Sequence, residues 1–179
     1  MFDIDEFVAQ CIAASEEPDA QLAIRDVLRR AVAPGSGVAE ALPPQRAGIE
    51  RLHVSPRLTI IKVVWAPGMT LYPHDHRMWA TIGIYTGGED NAFFRRAGGG
   101  LVASGGKELR PADVCILGDD VVHAVTNPTS AFAGALHVYG GDFFTVPRSE
   151  FDPETLEEHP FDVERALRYF EEQNARFVN

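Results

Sequence analysis

Six histidines punctuate the chain, and four of them, His74, His76, His123 and His137, fall in its β-rich middle. His74-Asp75-His76 sets two imidazoles two residues apart, a spacing that puts both on one face of an extended strand. His123 lies in a later apolar run and His137 in a third. Imidazole is the commonest protein ligand for Zn, Fe, Ni and Cu, and three converging rings leave coordination positions open for substrate or oxygen. A lone histidine is usually a hydrogen-bonded core or surface residue, but here three or four need one explanation. His137-Val138-Tyr139 adds an imidazole and a phenol on one strand face. The plain alternative for that pair is a buried hydrogen bond that helps to fill a core.

The elements that must position these residues read as helices at the ends and strands between. Asp3 with Glu6 has the form of a capping box, and Ile4, Phe7, Val8, Cys11 and Ile12 recur at helical spacing. Pro18-Asp19 opens a second helix with Ile24, Val27, Leu28 and Ala31 on one stripe, ended by Pro34-Gly35-Ser36-Gly37. From Arg51 to about Phe144 short β-branched runs alternate with turn signals: 58–65, 80–85, 92–96, 101–103, 114–117, 121–125 and 135–139. Gly87-Gly88-Glu89-Asp90-Asn91 ends the second of these runs, and Gly98-Gly99-Gly100 marks a later turn. Many short strands spaced in this way indicate a sandwich or barrel. Asp152-Pro153 and then Asp162 predict two helices after Pro147.

Composition excludes several classes. The 179 residues suit one domain, and 45% hydrophobic with 23% charged residues is ordinary for a globular chain. Sixteen basic against 26 acidic residues give a formal charge of −10, which opposes nucleic acid or an anionic membrane as partner. No apolar run is long enough to span a bilayer. Acids at the start, where a signal peptide carries Lys or Arg, and two distant cysteines, Cys11 and Cys115, predict a cytoplasmic protein with reduced thiols.

The stretch from Gly68 to Gly87 resembles the first cupin motif: glycine, five residues, HxH, three or four residues, glutamate, six residues, glycine. Gly68, His74, His76 and Gly87 match, while Ala80 or Thr81 stands where the glutamate is usual. His123-Ala-Val-Thr-Asn127 is similar to the end of the second motif, although Gly118 and Asp120 replace its usual proline and glycine. The resemblance implies a mostly β fold, a cupin double-stranded β-helix (jelly-roll) barrel with flanking N- and C-terminal α-helices. It divides a single domain 1–179 into N-terminal helices (1–48), barrel (49–146) and C-terminal helices (147–179). His74, His76 and His123 are then the metal ligands, and without the glutamate they leave a dication uncompensated and attractive to anions.

Cupins lacking that glutamate include the thiol dioxygenases, and the likeness extends to Ala135-Leu-His137-Val-Tyr139. That stretch is similar to their strand of alternating serine, histidine and tyrosine, with Ala135 in place of the serine. His137 and Tyr139 become the catalytic candidates. Thr81 takes the position of the cysteine that is cross-linked to tyrosine in animal cysteine dioxygenases, so no such cross-link forms here. Arg51 is the nearest positional match to the carboxylate-binding arginine, with Arg57 and Arg77 as competitors. Tyr72 and Trp79, with Met78, are candidate pocket walls beside Thr81.

The resemblance thus implies a mononuclear non-haem Fe(II) dioxygenase that oxidises a small thiol to its sulfinate, with O₂ as co-substrate. Ni, Zn or Cu also suit three imidazoles. The expected partner is a small thiol or anion, not nucleic acid or membrane. A homodimer is the oligomer to consider, since sheet edges in such barrels commonly pair. Two other readings stay open: a cupin metalloenzyme acting on a non-thiol substrate (dioxygenase, isomerase or hydrolase), or a non-catalytic cupin that binds a small ligand.

Overall fold

The computed structural model describes residues 2–98 and 100–177, so Met1 and the Gly99 of the expected turn lie outside the described residues. Helix α1 (Ile4–Ala14) starts where the Asp3 carboxylate accepts the Glu6 backbone N–H, as its capping pattern predicts. Helices α2 (Ala20–Ala31) and α3 (Val38–Ala41) follow. The strands are β1 (Gly48–Val54), β2 (Thr59–Trp65), β3 (Thr70–Asp75), β4 (Ala80–Thr86), β5 (Glu89–Ala97) and β6 (Gly100–Leu109). Then come β7 (Val114–Leu117), β8 (Val122–Thr126), β9 (Ala133–Tyr139), β10 (Ser149–Phe151) and β11 (Glu158–Pro160), and helix α4 (Val163–Ala175) closes the order. No helix among the described residues is long and apolar enough to cross a membrane.

Two antiparallel sheets form the body, one ordered β1-β2-β9-β4-β7 and the other β11-β10-β3-β8-β5-β6. They enclose a core that includes Ile61, Val63 and Trp65 of β2, Ile82 and Ile84 of β4, and Val125 of β8. This is the jelly-roll arrangement, with helices in the N- and C-terminal regions. Gly68 and Gly87, the two motif glycines, have φ of 66° and 72° at the turns after β2 and β4, a region that residues with a Cβ rarely adopt. Gly87 also lies so close to Ala133 that a Cβ there would sit 2.6 Å from its side chain.

Period-two alternation decides which side chains meet the site. On β9, Ala135 and Tyr139 join the barrel core, whereas Leu136 and Val138 join a second apolar cluster with Leu28, Ile24 and Phe7 of the N-terminal helices. Both faces of β9 are therefore covered, and all seven of its residues are buried. The C-terminal helix is placed differently. Phe170 of α4 stacks on Trp65 at 5.4 Å inside the barrel core, so this helix stoppers the barrel instead of merely supporting it from outside.

The C-terminal segment departs from the sequence reading in another way. Asp152-Pro153 opens no helix, because the Asp152 carboxylate accepts the Glu154 and Thr155 backbone N–H groups at 2.9 and 2.8 Å and closes a turn. That turn joins β10 to β11, and α4 is the one helix of the segment among the described residues. Glu158 accordingly sits on a strand, where its carboxylate pairs with Arg96 and Arg77.

Candidate metal centre

His74 on β3 and His123 on β8 are cross-strand partners, and His76 lies just past the end of β3. The three rings converge: their ligating nitrogens all lie within 4.8 Å of one another, and each residue is at most 5% exposed. Asp75 between them points the other way, to Arg77 and Arg96 at 2.6 Å each, as alternation requires. Arg77, with φ 55°, is thereby turned away from the ligands.

The donor set fits a metal ion. His74 Nδ1 bonds the Tyr72 carbonyl at 3.0 Å, which places its proton on Nδ1 and leaves Nε2 bare. His123 Nδ1 bonds Asn91 Oδ1 at 2.6 Å with the same consequence. Burial pushes the His74 pKa down to about 4 and those of His76 and His123 well below the usual range, so all three rings are neutral near pH 7. The Nε2 atoms of His76 and His123 lie 3.2 Å apart, with the bare His123 nitrogen accepting from His76 where a cation would replace the shared proton. Lone pairs gathered in this way are what a divalent cation binds, and neutral imidazole is the ligating form. His74, His76 and His123 would hold it.

The remaining groups of the site surround a cavity of about 50 Å³ walled by Trp65, Leu71, Phe143, Phe161 and Phe170. Tyr139 packs its ring 5.0 Å from that of His76, and its hydroxyl bonds His137 Nδ1 at 3.0 Å. Burial raises the Tyr139 pKa, so the phenol keeps its proton. A wider groove of about 720 Å³ beside β1 and α4, with Arg46, Lys62 and Glu171 on its walls, has no histidine.

Two residues not singled out in the sequence belong to this constellation. Arg148 lines the cavity at 8% exposure, with its guanidinium 3.7 Å from the Phe161 ring and 4.0 Å from the Phe143 ring. Its Nη1 has no hydrogen-bond partner, it forms no ion pair among the described residues, and burial pushes its pKa down to about 10. Glu89, fully buried, accepts from His137 Nε2 at 3.2 Å and from Trp65 Nε1 at 2.9 Å. No local pattern marks Arg148. Glu89 had a signal, since extending β5 back from Phe93 by twos gives Asn91 and Glu89 on one face.

The other sequence candidates lie outside the cavity. Arg51 is exposed and stacks on Phe144 at 3.9 Å, and Arg57 is exposed. Tyr72 is buried but sits where β3 shifts register between Leu71 and His74, so it faces a separate surface hollow beside Arg165. Trp79 packs against the N-terminal helix cluster, and alternation along β4 sends Thr81 to that same side with Gly83 and Tyr85. Met78 is buried against Gly141. His53 on β1 and the exposed His159 on β11 are not part of the cluster of three rings.

No family model matches the sequence. Among solved structures, the chain is similar to BH2720 from Bacillus halodurans, with a TM-score of 0.52 and 12% identity over 58% of this chain and 77% of that one. An RmlC-like cupin family protein with a double-stranded β-helix fold from Methanocaldococcus jannaschii gives 0.48 and 12% over 57% and 87%. A cupin superfamily protein from Desulfitobacterium hafniense gives 0.46 and 17% over 59% and 88%. At these identities the likeness is one of fold: two antiparallel sheets form a jelly-roll barrel, with three histidines converging inside it.

Proposed function

We propose that this protein is a mononuclear metal enzyme that oxidises a small, carboxylate-bearing thiol to its sulfinate. The observation that carries the reading is the company the three histidines keep: one small cavity collects them with the Tyr139 phenol and a buried Arg148 that forms no ion pair among the described residues. A guanidinium left without a partner inside a barrel calls for an anion, and its fork suits a carboxylate. Held by three neutral imidazoles, a redox-active divalent ion such as Fe(II) would lower the pKa of a thiol and activate O₂.

The chain's own groups then divide the work. Arg148 binds the carboxylate and so aims the thiol at the three rings. The aromatic walls exclude bulk water and limit the substrate to a few heavy atoms. Tyr139, positioned by His137, presents its hydroxyl at the edge of the ligand cluster. The reaction RSH + O₂ → RSO₂⁻ + H⁺ puts both oxygen atoms on sulfur and releases one proton. Ala135 stands where the similar dioxygenase strand has serine, and Glu89 supplies the partner that His137 Nε2 would otherwise lack.

The test is metal analysis followed by oxygen uptake on Fe(II)-loaded protein with 3-mercaptopropionate, cysteine, mercaptosuccinate and cysteamine. Uptake with the carboxylate-bearing thiols and little with cysteamine is the expected result. Protein that takes up no transition metal after Fe(II) loading overturns the reading at its base. Metal without thiol-dependent uptake moves the assignment to a non-thiol cupin enzyme.

A further inference from the structure

Glu89 touches neither the cavity nor a metal ligand, yet a continuous chain of hydrogen bonds runs from it to both halves of the site. Its Oε2 accepts from Trp65 Nε1 at 2.9 Å and from His137 Nε2 at 3.2 Å, and its Oε1 accepts from Asn91 Nδ2 at 3.1 Å. Asn91 Oδ1 lies 2.6 Å from His123 Nδ1, and His137 Nδ1 lies 3.0 Å from the Tyr139 hydroxyl. Five side chains, from the phenol of Tyr139 to the ligand histidine His123, are thus strung together, and none is more than 3% exposed.

The direction of every bond in this chain follows from the chemistry of one group. An ionised carboxylate only accepts, and indole N–H only donates. Burial by itself would raise the Glu89 pKa, but the adjacent His137 and the hydrogen bonds from His137, Asn91 and Trp65 outweigh it and hold the group below the usual carboxylate value. Asn91 must therefore turn its NH₂ to Glu89, which leaves its carbonyl oxygen for His123. That oxygen demands a proton on His123 Nδ1 and strips Nε2 bare toward His76. On the other branch, His137 must carry a proton on Nε2, and Nδ1, when it carries none, accepts from the Tyr139 hydroxyl.

We propose that Glu89 is a positioning residue that sets the polarity of the whole site, fixing the His123 tautomer that can ligate a metal, through Asn91, and the orientation of the His137–Tyr139 pair. The proposal deepens the metal-site reading and rests on it for its purpose, but not for its test. Outer partners of this kind commonly govern metal affinity by about 10- to 100-fold.

The substitution Glu89→Gln, of the same shape, reverses the chain. Trp65 still requires an acceptor, so the glutamine carbonyl takes the Oε2 position and its NH₂ faces Asn91. Asn91 must then flip, present its NH₂ to His123 and drive the His123 proton to Nε2, where it blocks the ligand lone pair. The pair Glu89→Gln with Asn91→Asp restores the original direction, because an aspartate accepts from both neighbours and the net charge is unchanged.

Imidazole ¹⁵N spectra of the metal-free protein read the tautomers directly, and competition with a chromophoric chelator reads Zn(II) affinity without any substrate. Expected are an Nδ1–H tautomer for His123 in the wild type, an Nε2–H tautomer and about 10- to 100-fold weaker zinc binding in Glu89→Gln, and recovery of both in the double variant. An Nε2–H tautomer for His123 in the wild type overturns the proposal even if no variant folds. So does unchanged zinc affinity in folded Glu89→Gln, or a folded double variant no tighter than the single one. Absence of thiol oxidation in the wild type would defeat the proposed reaction and leave these outcomes untouched.

Discussion

The two faces of β9 are buried alike, but they are buried against different things. Leu136 and Val138 meet apolar side chains of α1 and α2, and each contact there can be replaced by another of similar volume. On the opposite face, His137 and Tyr139 meet polar groups whose donors and acceptors must match one by one. The first face contributes stability through area and packing. The second is held in one arrangement by hydrogen-bond direction, and an error there leaves a buried polar atom without a partner. One strand therefore separates a tolerant interface from an exacting one.

Substitutions on each side sharpen that contrast. The largest expected effect is at the ligands: His76→Ala lowers metal affinity by more than the roughly 100-fold that an outer partner commands, while the chain stays folded. Equal metal content in wild type and variant would remove His76 from the ligand set. On the apolar face, Leu28→Ala, at a residue with no exposure, costs about 2–5 kcal/mol in urea unfolding. Metal affinity should be unchanged, and a loss would mean that the two faces are coupled. Tyr139→Phe should slow turnover on the order of 10-fold or more and leave metal content intact. A full-rate variant would return Tyr139 to the role of filler.

The smallest effect is on the pH dependence of the metal-free protein. His74 stays neutral down to about pH 4 when folded but takes up its proton near pH 6.5 when unfolded. Its contribution to stability is therefore complete above about pH 6.5 and drains away as the pH falls toward 4. Midpoints measured in urea should begin to drop between pH 6.5 and 5, before carboxylates titrate. A flat profile across that interval would contradict the burial of these rings.

What the sequence made legible was local. HxH, HxY and the glycines that flank them are separated by a few residues, and strand geometry alone converts those spacings into shared faces. The stripe of Ile24, Val27, Leu28 and Ala31 likewise needs only the helical period, and all four are buried. Arg148 and Glu89 were out of reach because their roles depend on tertiary neighbours: two aromatic rings from separate segments for one, and three donors from β2, β5 and β9 for the other. Arg51 shows the opposite failing, since a matching position in the chain did not bring it into the cavity. Amphipathic α4 revealed that one face is buried, but not that the burying surface is the barrel's own interior. Asp152 illustrates how one signal serves two structures, since a side chain that caps a helix also closes a turn.

The Arg148 sandwich has a consequence for the thermodynamics of capture. A flexible cation on the surface must surrender its rotamers when it grips an anion, at about 0.5–1.5 kcal/mol for a long side chain. Between the rings of Phe143 and Phe161, that freedom is already lost when the chain folds. A small anion reaching the cavity therefore meets a donor whose entropy was spent in advance, and more of the ion-pair energy is left to hold it.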